Sequence, residues 1–135
     1  MVRAAANCLR ETGGSVVLIA SAAAQVGLAN HEAVAAAKAG VIALAQSAAA
    51  SYSQANIRFN VVAPGLVASK LTQALTANPA SLKISAAMHP LNRIGQPEHI
   101  AAAIEFLLAT ENDWITGQVL AVDGGLSTVR PKVKA

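Results

Sequence analysis

Apolar residues fall into two kinds of pattern along the 135-residue chain. Residues 16–20 (VVLIA) and 57–63 (IRFNVVA) are short, nearly continuous runs rich in β-branched side chains and bounded by glycine or polar residues. Runs of that length without alternation predict parallel strands covered on both faces. Longer segments carry apolar residues at helical spacing. Residues 1–11 read as the last turns of an amphipathic helix, stopped by Thr12-Gly13-Gly14. Residues 31–52 read as about six turns of Ala-rich helix, with Asn30 as its N-cap. Residues 71–89 are helical in pattern but broken at Asn78-Pro79. A further helix starts at Pro97, is favoured by Glu98 in its first turn, and runs to about Ala109, with Ile100, Ile104, Leu107 and Leu108 on its buried side. Residues 115–125 give a last strand and a glycine turn.

The order strand, helix, strand between Val16 and Ala63 is a parallel crossover unit, so the fold class is α/β. Ser21 then falls at the carboxyl end of the first strand, where open α/β sheets bind ligands. The alternative is that it only caps or turns the chain.

Composition narrows this picture. The chain is 54% apolar but 3% aromatic, with alanine supplying much of the apolar count, which favours closely packed helices over a bulky aromatic core. The length suits at most one domain. Part of the net charge of +3 sits in the tail, residues 130–134, and no aromatic residue interleaves with the basic ones, so nucleic-acid binding is not expected. Cys8 is the only cysteine, which excludes an intrachain disulfide, gives no metal-ligand spacing, and reads as a buried small apolar residue. The first residues are too short and too soon charged for a signal peptide. Residues 33–50 are interrupted by Lys38, Gln46 and Ser47, so no membrane span is expected and a soluble cytoplasmic protein is the default reading.

The chemistry-bearing stretch is HEAVAAAKAGV at residues 31–41, with Ser21 ahead of it. It is accompanied by PGLVAS at 64–69 directly after IRFNVVA, by LNRIGQPEHI at 91–100 and by ITGQVLAVDGG at 115–125. In this order these motifs resemble the short-chain dehydrogenase/reductase family. The resemblance implies a partial Rossmann-like, doubly wound fold with about three parallel strands and flanking helices. It also implies hydride transfer between NAD or NADP and a small carbonyl or alcohol substrate.

In that family a helix carries Y-x-x-x-K, a spacing that puts both side chains on one helical face. The Lys lowers the pKa of the phenol so that it can exchange a proton with substrate, and a Ser about thirteen positions earlier hydrogen-bonds the substrate oxygen. Lys38 and Ser21 match these positions, but Val34 stands where the Tyr would be. By the same resemblance Pro64, Gly65, Val67 and Ser69 lie against the nicotinamide, Lys38 holds its ribose, and residues 71–89 form a lid. His31 precedes Val34 by three residues and Lys38 by seven, so it shares their helical face and is the candidate substitute acid. The plainer reading is a first-turn residue beside Glu32. Tyr52 is at the far end of the helix, ~20 Å from Lys38, too far to stand in. His89 reads as structural and His99 as a surface residue in the first turn of its helix.

The resemblance covers residues 1–126 and matches only the C-terminal half of the family's domain, followed by a basic tail at 127–135. Neither glycine pair, Gly13-Gly14 or Gly124-Gly125, has the strand-turn-helix context of a pyrophosphate site. A truncated chain without activity of its own is therefore expected. The helix at 31–52, the last strand, or an open edge of the first strand would make it a homo-oligomer. The alternative is a non-catalytic interaction module that pairs with itself or with a full-length relative.

Overall fold

The structure is a computed structural model that describes residues 1–132. In chain order it contains α1 (Val2–Leu9), β1 (Gly14–Ile19), α2 (Glu32–Tyr52), β2 (Ile57–Pro64), α3 (Gln73–Thr76), α4 (Pro79–Met88), α5 (Pro97–Leu108) and β3 (Val119–Val122). The strands form one parallel sheet in the order β1-β2-β3. Gly14 to Ile19 pair with Ile57 to Val62, and Val61 to Pro64 pair with Val119 to Val122. The partial α/β architecture expected from the sequence is thus present.

The central position of β2 explains its continuous apolar run, since every residue from Ile57 to Ala63 is buried. Its side chains alternate between two helical layers. Phe59, Val61 and Ala63 share clusters with Ala45, Ala48 and Ala49 of α2, and Tyr52 tilts against Phe59 with ring centroids 5.8 Å apart. Small residues on α2 let the helix sit close to the strand. Arg58 and Asn60 point the other way. The Arg58 guanidinium donates to the carbonyls of Leu107, Ile115 and Ala109, at 3.0, 3.1 and 3.2 Å, and so satisfies the end of α5. Asn60 donates to the Ile115 carbonyl at 2.8 Å and accepts the Gln118 N–H at 3.0 Å, fixing the entry into β3.

Several sequence-based expectations give way here. β1 has the open edge expected of it, but it is not covered on both faces: only Leu18 is buried and Ile19 is 39% exposed. Asn30 is not the N-cap of α2. It takes a left-handed conformation (φ 61), which Asn tolerates better than most residues, and His31 occupies the cap position without a side-chain bond. Cys8 is exposed, because α1 buries only Ala6. Leu108 is 44% exposed, since Leu107 is the residue α5 turns into the core. The start of the basic tail is held to the last turn: Ser127 bonds Asp123, and the N–H groups of Thr128 and Val129 donate to the Gly125 carbonyl. Residues 133–135 of the expected tail lie outside the described residues.

By length and composition the segment Glu32–Ala55, with mean hydropathy 1.5, is apolar enough to cross a membrane. In this fold it is the helix whose Ala45, Ala48 and Ala49 pack on the sheet.

Candidate active site

Parallel strands deliver their carboxyl ends to one edge of a sheet, and the matching residues collect there. β1 leads into Ser21, β2 into residues 64–69, and β3 into Asp123 and its glycine turn. The start of α2 returns to the same edge. Lys38 donates from Nζ to the Ile19 carbonyl at 3.0 Å, two residues before Ser21. Ser21 caps the short 3-10 turn Ala22–Ala24 by accepting the Ala23 N–H at 3.2 Å. That bond uses an oxygen lone pair and leaves the hydroxyl hydrogen available to donate.

His31 lies at the exposed start of the same helix. Its Nδ1 is 2.8 Å from the Ala29 carbonyl, so Nδ1 carries the hydrogen and Nε2 is the free nitrogen. Val34 is 46% exposed between His31 and Lys38. Among the described residues no hydrogen bond joins His31 to Lys38 or Ser21.

The segment after β2 is pinned on two sides. Gly65 donates to the Val122 carbonyl at 3.2 Å, and Val67 bridges to Gly95, with Gly95 N–H on the Leu66 carbonyl at 2.8 Å and Ala68 N–H on the Gly95 carbonyl at 3.1 Å. A Cβ on Gly65 would come within 2.7 Å of His89 Nε2 and 3.0 Å of Asp123 Cα, so glycine is required there by close packing. Ser69 is exposed and already engaged. It accepts the Thr72 N–H at 3.3 Å, donates its own N–H to Thr72 Oγ1 at 3.1 Å, and Thr72 Oγ1 in turn bonds the Val67 carbonyl. A ligand reaching the Ser69 hydroxyl must share it with Thr72.

Two buried groups escaped the sequence reading of this edge. His89 is 4% exposed and Asp123 is likewise buried. Burial opposes ionisation of Asp123, but the Ser127 hydroxyl, the N–H groups of Ser127 and Gly125, and the nearby His89 together hold its carboxyl below the usual value of 3.8. A lowered folded-state pKa stabilises the fold above the unfolded value, and that contribution is lost as pH falls through the folded value. An Asp123→Asn variant should therefore show a shallower loss of denaturant midpoint than the parent between about pH 4 and pH 2. Parallel acid limbs in the two proteins would contradict the assignment.

A cavity of about 390 Å³ lies beside these groups, lined by Leu66, His89, Arg93, His99, Asp123 and Gly124 among others. Ser21 and Lys38 do not line it. They lie at the end of β1, so the residues matched by motif and the enclosed volume occupy different parts of the edge. His99 accepts the Gln96 N–H at 2.9 Å as part of the capping box of α5, a structural role. Among the described residues no group of three or more His, Cys, Asp or Glu is placed to hold a metal ion.

The sheet, its crossover order and this edge define part of a Rossmann-like α/β domain. The chain belongs to the short-chain dehydrogenase/reductase family: a family model described as Enoyl-(Acyl carrier protein) reductase matches residues 1–127. It is 41% identical over 117 residues to the Cis-4-hydroxycyclohexanecarboxylate dehydrogenase of Sinomonas cyclohexanicum, covering 86% of this chain and 46% of that protein. It is 40% identical over 130 residues to the Inactive 2-(S)-hydroxypropyl-CoM dehydrogenase 2 of Xanthobacter autotrophicus, covering 93% of this chain and 56% of that protein. Among solved structures, ElxO with NADP bound superposes with a TM-score of 0.81 at 28% identity, over 93% of this chain and 50% of that one. The chain spans about half the length of the curated relatives it matches.

Proposed function

We propose that these 135 residues form the nicotinamide-and-substrate half of an NAD(P)-dependent short-chain dehydrogenase/reductase site, and that by themselves they do not turn over a carbonyl or alcohol. The observation that carries this reading is Val34. It occupies the proton-donor position on α2, while Lys38 and Ser21 keep theirs at the carboxyl end of β1. Reduction of a carbonyl leaves charge on its oxygen, which must receive a proton as hydride arrives. Ser21 has a hydroxyl hydrogen to offer as a hydrogen bond, and Lys38 holds a cation on the Ile19 carbonyl two residues earlier. Val34 has no exchangeable hydrogen. A positioned acid is worth about 10²–10⁴-fold in rate, so its loss alone takes turnover to a low level.

Residues 64–69 and Lys38 fit the nicotinamide and ribose end of a dinucleotide, which supplies the hydride when bound. They do not fit its pyrophosphate. Gly13-Gly14 leads into β1, and Gly124-Gly125 leads into the turn held by Asp123, so neither pair opens a helix. The name of the Xanthobacter relative, an inactive dehydrogenase, supports a non-catalytic reading. The packing of Ala45, Ala48 and Ala49 of α2 on the sheet supports a non-membrane setting for that helix.

Turnover tests the reading directly. Consumption of NADH and NADPH by the 135-residue chain is followed against panels of small ketones and aldehydes. No carbonyl-dependent consumption above buffer is expected. Turnover that His31→Ala abolishes would overturn the reading and make His31 the proton donor.

A second reading is an assembly module that pairs with itself or with a full-length relative. The open edge of β1, exposed Val34 and Leu44 on α2, exposed Phe106 on α5, and Trp114 at 97% exposure favour it. A chain that sediments as a stable monomer at micromolar concentration would count against it.

A further inference from the structure

We propose that His89 is a positioning residue that acts as a proton-operated latch, closing residues 64–69 against the lid helix α4 when its ring is neutral and releasing them when the ring is protonated. The bonding pattern determines the neutral form. Nδ1 lies 2.7 Å from the Ser85 carbonyl, which can only accept, so Nδ1 carries the hydrogen. Nε2 receives the Leu66 N–H at 3.2 Å, so Nε2 carries a lone pair. Each ring nitrogen is thus committed, one to α4 and the other to the segment after β2. The ring also packs beneath Gly65 and beside the position where Gly124 would carry a Cβ, so a single buried side chain touches the lid, the loop and the last turn.

Adding a proton places a second N–H at Nε2, facing the Leu66 N–H. Two donors then oppose each other in a buried position, and the bond that holds Leu66 is lost. The titratable and charged groups sharing the cavity with the ring are Asp123, Arg93 and His99. Asp123 attracts a cationic ring, but its oxygens are occupied by the Gly125 N–H at 2.9 Å, the Ser127 N–H at 2.9 Å and the Ser127 hydroxyl, so it offers no replacement bond fixed in the Leu66 direction. The Arg93 guanidinium opposes a second positive charge. His99 accepts a hydrogen bond from the Gln96 N–H through Nδ1, which ties it to the α5 cap. On α4 the partner is the Ser85 carbonyl, which an N–H at Nδ1 satisfies in either protonation state.

The latch acts on the loop whatever that loop holds, so it stands apart from the cofactor reading. It is tested on the 135-residue chain by amide hydrogen exchange with NMR detection, with His89 protonation followed in the same samples from its ring carbon shifts. After correction for the intrinsic pH dependence of exchange, protection of the Leu66 amide is expected to fall by roughly ten- to a hundred-fold in step with ring protonation. His89→Gln offers an amide oxygen to the Leu66 N–H and no titrating proton, so it should keep protection without a pH step. His89→Ala should lose protection at every pH, and if it fails to fold the glutamine variant carries the test. Three results would overturn the proposal: Leu66 protection that ignores ring protonation, a ring that stays neutral throughout the pH range in which the chain is folded, or a pH step that persists in His89→Gln. A purely structural histidine would change stability in both variants without removing a step specific to Leu66.

Discussion

Replacing Val34 by tyrosine is expected to raise carbonyl-dependent oxidation of NADH or NADPH by about 10²–10⁴-fold, the usual contribution of a positioned general acid. The comparison is made in a chimera in which the dinucleotide-binding half of an active family member precedes Met1, so that both proteins bind cofactor and differ only at residue 34. The geometry favours the gain. Val34 is 46% exposed and four residues before Lys38, so a phenol there projects onto the same helical face without entering the core. Lys38 is already held at the end of β1 by the Ile19 carbonyl, close in sequence to Ser21. Tyrosine and valine have about the same helix propensity, so the exchange costs the helix little. Equal rates with valine and tyrosine would mean that the proton comes from another source. His31→Ala in the Val34 background then separates His31 from water.

The largest stability effect outside the apolar core is expected at Asn60. This fully buried side chain in the central strand donates to the Ile115 carbonyl and accepts the Gln118 N–H, binding β2 to the start of β3 just before the segment that turns toward the site. Asn60→Leu keeps nearly the same size but leaves the Gln118 N–H without a partner, while the Ile115 carbonyl keeps its bond from Arg58. An unmet backbone donor of this kind costs about 1–3 kcal/mol, and a loss of that size is expected. It should appear as a lower denaturant midpoint with an unchanged slope. A shift below about 0.5 kcal/mol would show that the Gln118 N–H finds another partner.

The strands and helices were legible wherever local pattern determines them. The run 57–63 is continuous because β2 lies between two strands and two helical layers, and Pro97 and Glu98 start α5 as their chemistry demands. The exposure of β1 was not legible. VVLIA has the same composition as a strand covered on both faces; the open edge was expected from the motifs, but not that Leu18 alone would be buried. Asn30 misled because the residue types that cap helices also tolerate the left-handed conformation, and the two uses look alike in a sequence.

The site divides in the same way. Ser21 and Lys38 could be placed by spacing because a helix and a strand end are regular objects, and the structure brings both to one edge. His89 could not. Its bond to Ser85 spans one helical turn, but its bond to Leu66 joins residues 23 positions apart across the fold. Ser69 was placed by motif, and the structure adds what the motif does not carry: its hydroxyl shares a hydrogen bond with Thr72 three residues later.

Calorimetric titration of NADH and NADPH into the 135-residue chain tests the half-site claim most directly, because the nicotinamide end is represented here by Lys38 and residues 64–69 while no glycine pair among the described residues cradles a pyrophosphate. The predicted result is no binding at cofactor concentrations up to the millimolar range. Binding in the micromolar range would contradict it, and would mean that copies of this chain assemble a complete dinucleotide site.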